Sequence, residues 1–134
     1  MSFKTVLFPE QLRNLKGGRW IRISLRTWHL LSMGFLVGQT ATGIPMTEQP
    51  WALWGTVASG VLFIGMELAT SFIFLIQLKG LAVLAKMLLL GAAVASPDNA
   101  VSFMVAAIII GGISSHMPGA YRYYSVFHGR VIKE

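Results

Sequence analysis

Long stretches that are apolar and almost free of charge constrain this chain more than any other feature. An α-helix needs about 20 apolar residues to cross a hydrocarbon core of about 30 Å. Four stretches approach or exceed that length, over residues 23–43, 51–77, 80–95 and 100–117. The sequence therefore predicts an all-α integral membrane protein with four transmembrane helices arranged as an up-down bundle.

The composition supports a membrane environment for these stretches. Hydrophobic residues make up 54% of the 134 residues and charged residues only 12%. A soluble globule of this size needs a polar surface, because its surface is large relative to its volume. The chain contains no cysteine, which excludes disulfides and thiolate chemistry. A net charge of +6 comes without any nucleic-acid-binding motif, so the predicted partner is the lipid bilayer and not a nucleic acid.

The basic residues predict the orientation of the bundle. Ten of the eleven Lys and Arg residues precede or open the first span, connect the second to the third, or follow the fourth. The two opposite loops contain Glu48 and Asp98 and no basic residue. Basic loops stay on the cytoplasmic side, which predicts cytoplasmic termini and a multi-pass protein of the bacterial inner membrane. The predicted divisions are a cytoplasmic segment 1–19, a transmembrane domain 20–121 and a cytoplasmic tail 122–134.

Both ends of the chain mix apolar and basic residues. The segment 3–15 is predicted to form a short helix on the inner membrane surface or to dock on a partner. The tail from His116 to Arg130 combines histidine, tyrosine and arginine. It is predicted to be an interfacial anchor, with a docking surface for a larger complex as the alternative.

Two oppositely charged residues fall inside the predicted spans. Glu67 belongs to the second span and Lys86 to the third. If a tight turn joins these helices as antiparallel neighbours, the two side chains reach each other. An ion pair that fixes helix register is the first interpretation. A proton or substrate site, or a contact with another subunit, are the alternatives.

Two histidines suggest cofactor chemistry. His29 and His116 lie near the cytoplasmic ends of the first and fourth spans, where two imidazoles can ligate a b-type haem and Arg26 can meet its propionates. Hydrogen bonding or packing explains the same histidines without a cofactor. Copper is a further alternative, from the pairs His29 with Met33 and His116 with Met117. No catalytic triad, phosphate loop or carboxylate pair is present, so no catalytic residue is predicted.

Part of the chain resembles a known membrane superfamily. The residues that carry the resemblance are the histidine in Arg26-Thr-Trp-His29-Leu and the lysine in Leu84-Ala-Lys86-Met. The segment 20–95 is similar to the CopD-like four-helix superfamily, which includes copper-resistance membrane proteins and the haem-containing membrane protoporphyrinogen oxidase. The resemblance implies functional roles for His29 and Lys86 only. The sequence around His116 and the tail that follows depart from that pattern.

Three functions follow as expectations. The first is a non-catalytic membrane subunit or anchor of a larger complex, such as an electron-transfer assembly. Its expected partners are other membrane subunits or further copies of the same chain in a homo-oligomer. The second is a b-type haem protein for electron transfer or porphyrin oxidation. The third is a small metal- or ion-handling protein that uses Glu67 and Lys86.

Overall fold

The structure is a computed structural model that describes residues 16–132, and most of this part is helical. The four long helices are α1 Gly18–Ala41, α2 Pro50–Thr70, α3 Leu78–Ala95 and α4 Ala100–His116. The shorter elements are the helix α5 Gly119–Arg122, the strands β1 Tyr124–Ser125 and β2 Arg130–Val131, and 3-10 turns at Met46–Glu48, Phe72–Ile76 and Pro97–Asn99. The surface helix predicted over residues 3–15 lies outside the described residues.

Three helices are long and apolar enough to cross a membrane by length and composition: α2, α3 and α4 with its preceding turn. This confirms transmembrane helices and fits a multi-pass membrane protein. The helix α1 has 24 residues, but it does not meet the same criterion within the described chain. Its first three turns carry Arg19, Arg22 and Arg26, and its interior carries a histidine.

The long helices form two packed pairs. The helix α1 packs along α2, α3 packs along α4, and α1 joins the pairs through α4. We call one end of the bundle the basal end; α1 and α3 begin there, and α2 and α4 end there. The opposite end is the apical end. The helices α2 and α3 do not pack along each other, so the expectation that they are close antiparallel neighbours was wrong.

The apolar core lies at the apical end. Its fully or nearly buried residues come from all four long helices and the first 3-10 turn: Leu36, Met46, Ala52, Ala93, Ala100 and Met104. The loop before α2 is tied to this core by the buried Gln49 side chain, whose Nε2 donates to Thr40 Oγ1 at 3.1 Å and to the Ile44 carbonyl at 2.9 Å. The apical ends are thus held by apolar packing and a buried amide.

The second helix is shorter than predicted. It ends at Thr70 and not near Gln77, because Ser71 adopts an extended backbone with φ −166° and ψ 138°. The Ser71 hydroxyl then accepts a hydrogen bond from the Ile73 amide at 3.2 Å and caps the 3-10 turn that follows. Serine competes for local backbone hydrogen bonds in this way and favours helix boundaries. The connection to α3 is therefore a structured segment and not a tight turn.

The C-terminal residues form a small hairpin at the basal end. Its strands pair Tyr124 with Val131 and Ser125 with Arg130. Gly129 takes a left-handed backbone, with φ 60°, in the connecting loop, a conformation that glycine adopts without steric cost. The fully buried Gln77 attaches the hairpin to the start of α3, since its Nε2 donates to the Ile132 carbonyl at 2.9 Å.

The first turn of α3 provides a stability test. A Cβ on Gly80 would lie 2.0 Å from the Phe74 carbonyl oxygen, whereas one on Gly91 in the same helix meets nothing within 4 Å. We expect Gly80→Ala to lower the free energy of unfolding by about 3 kcal/mol, because backbone must move. Gly91→Ala is expected to be neutral or to stabilise by up to about 1 kcal/mol. Unfolding in detergent followed by circular dichroism measures both, and equal effects would contradict the close approach at Gly80.

Candidate functional site

The polar residues of α1 share one face of the helix. Arg22, Arg26, His29 and Ser32 follow at intervals of three or four residues, which places their side chains one above another. Ser32 is fully buried, and His29 is half-buried. This face runs from the basal end towards the middle of the bundle, and ends below the apolar core.

The facing surface of α2 is also polar. Thr56, Ser59 and Thr70 are buried, and Glu67 belongs to the same side of the helix. The three hydroxyl groups are satisfied by carbonyls one turn earlier, at 2.6 to 3.0 Å from the Gly55, Ala52 and Met66 oxygens. Burying these side chains therefore costs little free energy. The interface between α1 and α2 is narrow and polar.

Glu67 is the ionic centre of the basal end. Its Oε1 lies 3.0 Å from Arg22 Nε, and its Oε2 lies 3.9 Å from Lys79 Nζ. The Arg22 contact is an ion pair without hydrogen-bond alignment at Nε, and Arg22 Nη2 donates instead to Thr70 Oγ1 at 2.9 Å. One carboxylate on α2 thus attaches the starts of α1 and α3.

Lys79 extends this network to the C-terminal region. Its Nζ lies 4.9 Å from the ring centroid of Tyr123 and 5.6 Å from that of Phe74, within the range of cation–π attraction. Arg122 donates from Nη2 to the Ser115 carbonyl at the end of α4. These contacts bind the segment after α4 to the bundle, as the bonds of Gln77 do.

His29 is oriented by α2. Its Nδ1 lies 3.0 Å from both the Thr56 carbonyl oxygen and Ser59 Oγ. Since a carbonyl only accepts, Nδ1 donates its hydrogen to Thr56, and Nε2 is left for other partners. The absence of a side chain on Gly60 makes room for the ring, because a Cβ there would lie 3.5 Å from Cε1 of His29.

Lys86 does not pair with Glu67, contrary to one prediction. Its ammonium lies instead against α4, with Nζ 3.8 Å from where a Cβ on Gly111 would be. Arg26 is near enough to interact electrostatically with Lys86, as Lys86 is with His29. The Arg26 guanidinium also lies 5.0 Å from the ring centroid of Phe63. Within residues 16–132, neither Arg26 nor Lys86 has a carboxylate within salt-bridge distance.

The two histidines predicted as haem ligands have different surroundings. His116 is the last residue of α4 and is exposed, whereas the ring of His29 lies against α2. The helices α2 and α4 do not pack along each other. Within the described part of the chain no three His, Cys, Asp or Glu residues group as a metal site. Ligation of haem by this pair, with Arg26 at the propionates, stays a prediction.

Comparisons of the chain with protein-family models, curated proteins and solved structures give no match. The resemblance to the CopD-like superfamily therefore stays a prediction, and the site is interpreted from its own geometry.

Several residues of the site were not singled out from the sequence. Thr56, Ser59 and Gln77 were not distinguished from the other residues of the predicted second span. One signal was present for the hydroxyl residues: Thr56, Ser59 and Thr70 repeat at helical spacing together with Glu67. The partners of Gln77 are more than 45 residues away in sequence, and no local pattern indicates them.

The Glu67 ion pairs generate a second test. Glu67→Gln keeps the side-chain shape and removes the negative charge that Arg22 and Lys79 share. We expect a loss of about 2 kcal/mol in stability, because two partly buried cations then lack a counter-charge. The matched control is Glu48→Gln, an exposed residue outside these ion pairs, with an expected change within about 0.5 kcal/mol. Thermal unfolding in detergent compares them, and equal shifts would contradict the role assigned to Glu67.

Proposed function

We propose that this chain is a small integral membrane protein that crosses the bilayer four times, with both termini in the cytoplasm, and serves as a membrane subunit or anchor of a larger complex. An electron-transfer assembly is the proposed setting. The supporting observations concern the polarity of α1, the distribution of charge between the two ends, and the hairpin at the basal end.

The polarity of α1 is compatible with a fourth span. A helix of 24 residues is about 36 Å long. Its arginines fall in the first third, where long side chains reach the interface. His29 and Ser32 are turned towards α2 and not towards lipid. These polar residues lower the mean hydropathy of α1, although the lipid would contact mainly the other, apolar face of the helix.

The charge distribution supports cytoplasmic termini. The basal end carries Arg19, Arg22 and Lys79 on or beside the helices and Arg122 and Arg130 in the segment after them. The apical loops carry acidic residues and no basic ones. Because basic loops are retained in the cytoplasm, the basal end is assigned to that side.

The hairpin is the observation that carries the subunit proposal. Its loop displays Val126 and Phe127, which are 53% and 74% exposed. The loop is fixed at its base, because the buried Ser125 hydroxyl lies 3.0 Å from His128 Nδ1 and accepts a hydrogen bond from the His128 amide. A fixed apolar tip flanked by cations is a suitable contact for another subunit. Within residues 16–132 it is the largest structured part outside the long helices.

The topology is tested with single cysteines, because the chain has none of its own. We expect Glu48→Cys and Asp98→Cys to react with a membrane-impermeant maleimide in intact cells. Lys16→Cys and Arg130→Cys are expected to react only after permeabilisation. Labelling of Lys16→Cys in intact cells, with Arg130→Cys protected, would show that α1 does not cross the bilayer and would contradict the fourth span.

The subunit role is tested by native purification. In mild detergent the chain is expected to elute with other membrane proteins at a fixed stoichiometry, measured by light scattering and native mass spectrometry. Phe127→Asp is expected to release it, because a charge replaces the apolar tip. The control, Glu48→Lys on the apical loop, is expected to keep the complex. A lone monomer at native expression levels would contradict the proposal.

A further inference from the structure

Two cations of the bundle lie at the same depth and have no counter-charge among residues 16–132. Arg26 lies about two turns after the start of α1, and Lys86 about two turns after the start of α3. Both helices begin at the basal end, so each cation is about 12 Å along its helix from that end. Glu67, the one carboxylate of the polar face in the described chain, is already engaged by Arg22 and Lys79.

The half-buried ammonium of Lys86 is unfavourable at this depth without a counter-charge or a ligand. Ionisable residues within a membrane are costly, and they commonly mark ligand or ion pathways. Lys86 is half-buried and has neither a hydrogen bond nor an ion pair with any described residue. Arg26 is exposed, and its partners among the described residues are the Phe63 ring and, electrostatically, Lys86. A guanidinium and an ammonium together attract an anion strongly, since charge-assisted hydrogen bonds are the strongest that side chains form.

The surroundings leave room for such an anion. Gly111 provides space beside Lys86 on the α4 side, and α2 and α3 do not pack along each other. The ring of His29 is held by α2 through Nδ1, so its Nε2 is an acceptor and the anion would be bound by the two cations. The apolar side chain of Leu30 lies one turn after Arg26 on the same face of α1 and is 72% exposed.

We propose that Arg26 and Lys86 bind the oxyanion of an amphipathic molecule: a carboxylate or phosphate joined to an apolar body. The cations hold the oxyanion, and the exposed Leu30 side chain contacts the apolar part. A depth of about 12 Å from the helix ends favours entry from the lipid phase over entry of a hydrated ion, because a free ion must lose its water first. This site rests on the proposed crossing of the bilayer by α1, and it does not depend on the subunit role.

Direct binding tests the site. The purified full-length chain in non-ionic detergent is incubated with radiolabelled oleic acid, methyl oleate, phosphatidylglycerol or inorganic phosphate. We expect saturable binding of oleic acid, phosphatidylglycerol or both, and none of methyl oleate, which lacks the anion. Binding of oleic acid alone assigns a carboxylate ligand, and binding of phosphatidylglycerol alone assigns a phosphate headgroup. Binding of inorganic phosphate alone would overturn the amphipathic ligand.

Charge variants identify the residues. Lys86→Met and Arg26→Gln are each expected to weaken binding about tenfold or more, whereas Lys86→Arg keeps the charge and is expected to retain it within about threefold. Arg130→Gln removes one positive charge from the hairpin and serves as the control for net charge. Equal binding by Lys86→Met, Arg26→Gln and Arg130→Gln would overturn the assignment.

Two neighbouring glycines give a steric test that leaves the charge unchanged. Gly111→Leu fills the space beside Lys86, and it is expected to weaken binding about tenfold. Gly112→Leu adds the same side chain where nothing lies within 4 Å of a Cβ, and it is expected to bind like the native chain. Circular dichroism confirms that each variant keeps its helices. Equal binding by the two leucine variants, both folded, would contradict a site at Gly111.

Discussion

The carboxylate of Glu67 is the interaction on which the basal half of the structure depends. It is the one acidic group that the described chain places among Arg22, Arg26, Lys79 and Lys86. By pairing with Arg22 and Lys79, it joins α1, α2 and α3 where apolar packing is sparse. Within residues 16–132, the same choice of partners leaves Arg26 and Lys86 without a counter-charge. Structural attachment and a candidate binding site thus follow from the position of a single carboxylate.

The two ends of the bundle are stabilised by different means. Apolar side chains and the Gln49 amide hold the apical end. Ion pairs, buried hydroxyls and the Gln77 amide hold the basal end. Polar groups in a low-dielectric interior have strong orientation preferences and are expensive to leave unpaired.

The candidate site was predictable from the sequence only in part. His29 and Lys86 stand out because ionisable residues in apolar segments are rare. The expected contact of Lys86 with Glu67 was wrong, because Ser71 ends α2 early and the connection that follows keeps α2 and α3 from packing together. The neighbours that give Lys86 its environment, Arg26 and Gly111, lie on helices far away in the sequence.

Apolar stretches by themselves determined that the chain forms helices long and apolar enough to span a membrane, and they located both ends of α3 and α4 within two residues. Burial in hydrocarbon and helical hydrogen bonding depend on the residues of a single segment, so the local composition is enough to predict them. The tertiary structure alone decided which helices pack, that Gln77 fastens the hairpin, and which cations Glu67 neutralises. Those outcomes depend on distances between segments that no local pattern contains.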